Sequence, residues 1–443
     1  MTFKKSGQVV LALAVSLGLS LGLTSCVNDY TVAYLYVTGA QYNQIGAFKI
    51  SDNTGNLRAI PGSPFGSGGT NPIRALVSTT GRYIYVLNAG TPTTDATGNT
   101  TWASANIAVF SVGGEGTLAP QQTYQSQGYG ATRIAFSQNG GYLYVMDEYS
   151  PAAGKNAAGD PLVGALGAPA AGMQCQDSSG VFHPTGDITV FQVDSSTGRL
   201  SLVTNNQVQD ASGNPLTYFP VGCEPIDFHM TGAYLLTADT SDPVTGNKLT
   251  VYPYSVNTTN GQLTTTQNTE FVTGAQSIST IDASSSQSYV YILDPVANNI
   301  LYYTVGQNGL LAPVSTSPTL NAQTSAGNPI ALTTDSKNQF LYVANAGPTS
   351  SVGQNNSDIT IYTISSNGAL AAPSKGVIGT GSSPQCIIED PSNQYLYTAD
   401  HDSSTVTGKV LDPSSGLLTD LRNKSTYATV GQPTWCVADG HTD

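Results

Sequence analysis

The sequence predicts an all-β protein: a seven-bladed β-propeller with four-stranded blades, its ring closed by a C-terminal inner strand. Three observations carry this. A short apolar segment recurs seven times. Two further segments follow each copy in fixed order. One unpaired segment at the C-terminus supplies what the first unit lacks. Self-similarity at a period of this size marks a solenoid, propeller or array.

The recurring segment reads AYLYVTG at 33, RYIYVLN at 82, GYLYVMD at 141, AYLLTAD at 233, SYVYILD at 288, QFLYVAN at 339 and QYLYTAD at 394. A second element follows each copy: IGAFKI, NIAVFSV, DITVFQV, KLTVYPYSV, NILYYTV, DITIYTI and TVTGKVL. A third begins with Gly and Leu: GNLRAI, GTLAPQ, GRLSLV, GQLTTT, GLLAPV, GALAAP and GLLTDL. Short apolar or alternating runs bounded by Gly, Asn, Asp and Ser read as strands. A fourth candidate strand precedes all copies but the first: NPIRALV, ATRIAF, EPIDFHM, QSISTID, NPIALTT and PQCIIED. The last such strand, PTWCVAD at 433–439, has no apolar copy after it. It is expected to enter the sheet begun by the N-terminus. That closure removes the open edge, where backbone groups would be left unpaired. One domain over residues 31–443 is therefore expected.

Composition agrees. Charged residues make up 10% of the 443, while Gly (47) and Tyr (24) are plentiful. Long soluble helices need a charged wet face; Tyr, Val and Thr suit strands, and Gly and Asn suit turns. The formal net charge of −13 excludes general nucleic-acid binding, which wants Lys and Arg.

Residues 1–25 are expected to be a lipoprotein signal peptide. Lys4 and Lys5 precede the apolar run Val9–Leu23, which is short for a membrane span. Leu23-Thr24-Ser25-Cys26 resembles a bacterial lipobox, with Cys26 as the lipidated new N-terminus and 26–30 as a tether. Losing both lysines takes the net charge to −15. The expected location is the bacterial cell envelope, with the lipid as the membrane contact. Val27 after the Cys fits outer-membrane sorting in a Gram-negative cell. Four cysteines remain, and an exported chain favours disulfides. Three pairings are open; the repeat register favours Cys175–Cys223 and Cys386–Cys436. No spacing resembles a zinc site, and no metal or cofactor is expected.

Most repeats are spaced 49 to 59 residues apart, but Tyr142 and Tyr234 are 92 apart. The excess is an Ala/Gly/Pro-rich insertion at about 149–186. Two connections of the same type, after Asn88 and after Asn345, are also long. All three should leave from one face. They are expected either to wall the channel mouth or to be tolerated surface insertions.

The repeat, P-x-x-(apolar)…G-x-Y-L-Y-V-x-N…I-x-V-Y-x-(apolar)…G-x-L, resembles the lactonase-type seven-bladed propellers. These include 6-phosphogluconolactonase and the carboxy-muconate lactonizing enzyme, and shade into YVTN-type surface repeats. The resemblance spans nearly all of 31–439. It implies lactone ring opening or closure without metal in the central channel, using Arg, His and Glu. The strongest local motif there is a Pro-Arg-His inner strand followed by a strand ending Val-Asn-Glu. The matching stretch here is ATRIAFSQNGGYLYVMDEYS, 131–150. Asp147 falls on the Asn and Glu148 on the Glu. Arg133, two residues after Ala131, takes the His position, and no inner strand has a His there.

Residues two after the Pro position form a series: Arg74, Arg133, Asp227, Thr280, Ala331, Cys386 and Trp435. Two Arg on neighbouring blades beside an Asp could hold a carboxylate or phosphate. Glu148 is the candidate general base on water, and Arg133 steadies the oxyanion. Arg74, Asp147 and Asp227 are candidate substrate-binding residues. The alternative is that these charges pair with one another or with solvent at the rim. Asn88, Asp147, Asp239, Asp294, Asn345 and Asp400 end the second strands and read as turn caps. His183, His229, His401 and His441 read as surface residues. Trp102 and Trp435 read as packing or binding-surface residues.

Two functions follow. One is a lactonase-like hydrolase acting on a small polar, sugar-like lactone at the channel mouth. The other is a non-catalytic, envelope-anchored binding or scaffold propeller. A monomer is expected.

Overall fold

The computed structural model describes residues 30–440 except 92, 95–99, 102–104, 152–184, 210–211, 224, 243–247, 266–270, 285, 315–318, 321–326, 348–355 and 372–375. The signal segment, Cys26, Trp102, Cys175, His183 and most of the long insertion lie outside the described residues.

Seven antiparallel sheets form the blades. Their innermost strands are Pro433–Asp439, Pro72–Val77, Tyr129–Phe136, Pro225–Thr231, Thr280–Ala283, Pro329–Thr334 and Pro384–Glu389, for blades 1 to 7. The C-terminal strand pairs with Thr31–Gly39, Tyr36 opposite Val437, so the last strand of the chain is the first strand of blade 1. Cys386 and Cys436 are disulfide-bonded. They join the inner strands of blades 7 and 1 at the same seam. Cys223 is also disulfide-bonded; its favoured partner Cys175 lies outside the described residues.

Second strands are buried nearly throughout, as at Phe340–Asn345. That is why they read as unbroken apolar runs and not as alternating ones. Outer strands are short, as at Leu57–Ala59, except in blade 2, where Leu118–Gln125 is longer and its pairing is interrupted. In six blades a second short segment also pairs with the third strand, for example Phe65–Gly66. Short, interrupted edges resist pairing with other chains. Apolar side chains collect between blades. Each of seven clusters draws on two neighbours, such as Leu35 and Ile50 of blade 1 with Tyr397 and Val406 of blade 7.

The repeat has a structural cause. The inner Tyr of the motif donates its hydroxyl to a glycine carbonyl in the third-to-fourth-strand turn of the next blade. The pairs are Tyr36–Gly116, Tyr85–Gly198, Tyr144–Gly261, Tyr291–Gly368, Tyr342–Gly416 and Tyr397–Gly55, at 2.6 to 3.4 Å. Each of these glycines has positive φ, and the preceding motif aromatic lies against its α-carbon, as Tyr83 does at Gly198. A side chain there would meet both strain and a ring. Blade 4 has Leu236 in place of the inner Tyr.

The innermost strand of blade 5 is shorter than QSISTID suggests. Asp294 accepts from the backbone N–H of Gln276 (2.6 Å), Ser277 (3.1 Å) and Ala297 (3.0 Å). Those donors are thereby taken from any ladder. Asp294 thus caps turns as expected, and Asp147 accepts from Gly128 N–H. Asn345 and Asp400 instead bond mainly to side chains, Asp358 and Thr360 for one and Thr380 and Thr407 for the other.

Candidate functional site

The innermost strands of blades 1 to 5 border a cavity of about 290 Å³ in the central channel. Arg74, Arg133 and Trp435 lie at one end. Gln138, Gly232 and Gln287 lie toward the other, in the turns that join inner to second strands. The long connections after Asn88, Asp147 and Asn345 leave from the opposite face, where second strands end. The loops therefore do not leave from the side of these turns.

Two cations lie against the Trp435 ring. The Arg74 guanidinium carbon is 4.1 Å from the ring centre and that of Arg133 is 5.3 Å. Such contacts are worth about 0.5–2 kcal/mol. Arg133 Nη1 also meets Asp227 Oδ1 at 3.3 Å, with both side chains nearly buried. Asp227 is held from several sides. Thr280 Oγ1 (2.9 Å) and Ile281 N–H (3.0 Å) donate to one oxygen, and Phe228 N–H (2.9 Å) donates to the other. The expected Arg, Arg, Asp series on neighbouring blades is therefore a real cluster. Arg74 differs from Arg133. It donates to its neighbour Ile73's carbonyl at 3.0 Å, while its buried Nε has no acceptor. Among the described residues it is in no ion pair. Burial, and then the charge of Arg133, lower its pKa to about 10.

The second feature is a His–Asp pair. His229 Nδ1 lies 2.8 Å from Asp282 Oδ1, across blades 4 and 5, and both residues line the cavity. Burial alone would raise the Asp282 pKa. The His229 hydrogen bond and charge, with Arg133 nearby, outweigh it and hold the carboxyl below its ordinary value. The expectation of a surface His229 is corrected by this position. Side chains alternate along a strand, so the residues after Asp227 and Thr280 on the same face are His229 and Asp282. Carrying the series one strand period further would have found both.

Glu148 is not among the cavity residues. It follows Asp147 at the end of its strand, accepts from Tyr149 Oη at 2.8 Å, and lies against Gly130. Asp147 is fully buried inside blade 3, opposite Asp187 in the ladder. Neither is brought to Arg133 within the cavity. Among the described residues, no group of three or more His, Cys, Asp or Glu is placed to hold a metal ion.

A family model described as "Lactonase, 7-bladed beta-propeller" matches residues 27–154 and 250–438. The chain belongs to this family. This lactonase propeller is also similar to solved structures. One is a periplasmic gluconolactonase from Pseudomonas aeruginosa, with 15% identity, 92% of this chain and 99% of that chain covered, and a TM-score of 0.62. Another, from Bacteroides uniformis, is titled a "putative 6-phosphogluconolactonase", with 15% identity, the same coverages and a TM-score of 0.60. A third, from Bacteroides fragilis, bears the same description, with 17% identity, 94% and 99% coverage and a TM-score of 0.59. At such identities these likenesses establish the fold alone. No curated protein matches the sequence.

Proposed function

We propose that this lactonase propeller hydrolyses a small polar lactone in its central cavity. The observation that carries this is the pair of guanidiniums on Trp435, one of them, Arg74, in no ion pair among the described residues. A carbonyl oxygen that gains charge in acyl transfer needs fixed donors in a site shielded from water. Arg74 offers such a donor, and Arg133 is fixed in place by Asp227. The volume of about 290 Å³ holds roughly ten waters at about 30 Å³ each, the scale of one sugar ring. Family membership supports the reaction class.

The test is acid release from a panel of five- and six-membered sugar and aliphatic lactones, followed by pH-stat. Turnover above the buffer rate is expected, with Arg74→Met lowering kcat/KM by about 100-fold. Acid release at the buffer rate across the panel would sink the reading.

One observation favours an alternative, a non-catalytic binding propeller, which export by the lipobox would place at the cell envelope. Asp227 already satisfies Arg133, as a purely structural ion pair would. Saturable binding of a sugar lactone without turnover would support that alternative.

A further inference from the structure

We infer that His229, oriented by Asp282, is the general base of this cavity; the inference rests on the lactonase reading above. A general base needs a free lone pair and a fixed ring. The Nδ1 contact to Asp282 supplies the second and determines the first. With its proton on Nδ1 and shared with the carboxylate, the neutral ring carries its lone pair on Nε2. Asp282 is itself fixed, because Ala283 N–H donates to the same Oδ1 at 2.8 Å. The imidazole is 23% exposed and borders the cavity, so water can reach it. The charged groups facing the pair are Asp282 from blade 5, Arg133 from blade 3 and Asp227 on its own strand, with Arg74 across the cavity. The family match omits residues 155–249, which include all of the His229 strand.

The step balances. A water O–H bond breaks, its proton goes to His229 Nε2, and the water oxygen bonds to the lactone carbonyl carbon. The carbonyl electron pair moves to oxygen, facing the guanidinium. Collapse re-forms the carbonyl and breaks the ring C–O bond. The departing ring oxygen takes the proton from the imidazolium, leaving a hydroxy acid and neutral His229. Asp282 is a positioning residue, since it acts through the imidazole.

The experiment measures kcat and KM across pH on a lactone the parent hydrolyses, for His229→Gln, His229→Ala, Asp282→Asn and Glu148→Gln, with folding checked by thermal melt. His229→Gln should lower kcat by about 100-fold or more, leave KM within about twofold, and abolish the acid limb of the profile. Added imidazole should restore part of the His229→Ala rate, which a packing role would not allow. Asp282→Asn should lower kcat and move the acid limb. Parent-like kcat in folded His229→Gln would overturn the base assignment while leaving the lactonase reading standing. Loss of turnover in Glu148→Gln alone would move the base to the opposite face and overturn it too. A parent without turnover on any lactone would overturn both.

Discussion

The Tyr397 hydroxyl donates to the Gly55 carbonyl at 2.6 Å, across 342 positions of sequence. It is the blade 7 to blade 1 member of a tie found at six of the seven blade junctions. Tyr397→Phe would leave a buried carbonyl without its donor, at a cost of about 1–2 kcal/mol. Urea unfolding should show that loss. A midpoint equal to the parent's would mean that water replaces the tie.

The same seam carries the Cys386–Cys436 bond, which spans 50 residues. On the chain-entropy account, a loop of that length gives about 4 kcal/mol. The double variant Cys386→Ala/Cys436→Ala should lower the urea midpoint by the corresponding amount. An unchanged midpoint would show that the ladder between Tyr34–Gly39 and the last strand sets ring closure alone.

Asp147 and Asp187 face each other inside blade 3, both fully buried. Burial raises Asp147 to about 7, against bonds from Ser126 and Gly128. Burial and the charge of Asp147 push Asp187 well above its ordinary value. The folded chain therefore keeps protons that the unfolded chain releases near pH 4. The pair's contribution to stability is fully present below about pH 4 and is lost as pH rises through about 7 and beyond. Asp187→Asn would supply an amide donor, as Asn345 does for Asp358 in blade 6. Relative to the parent, the variant should be more stable at pH 8 than at pH 5 in thermal melts. A parallel pH dependence would refute the account of protons retained by burial.

Removing one partner of a buried ion pair leaves an uncompensated charge. Arg133→Met should destabilise by about 3 kcal/mol, softened by the three other donors to Asp227. Chemical denaturation measures this. A loss below about 0.5 kcal/mol would mean those donors suffice. Activity of Arg133 variants should be read only where the melt shows folded protein.

The sequence by itself determined the fold: seven strand sets, their order, and closure by 433–439. It could do so because each blade obeys the same local rules. The motif aromatics, the positive-φ turn glycines and the apolar second strands are set by neighbours at a fixed spacing. The Arg74, Arg133 and Asp227 cluster was legible for the same reason, as one position in the repeat. Tertiary structure decided the rest. Glu148 and Arg133 are close in sequence, yet only Arg133 reaches the cavity, because Glu148 lies beyond the strand end near the opposite face. His229 and Asp282, 53 positions apart in sequence, meet at 2.8 Å because neighbouring inner strands run side by side along the channel. The strand period places both on the channel face, but their contact depends on how neighbouring blades stand against each other.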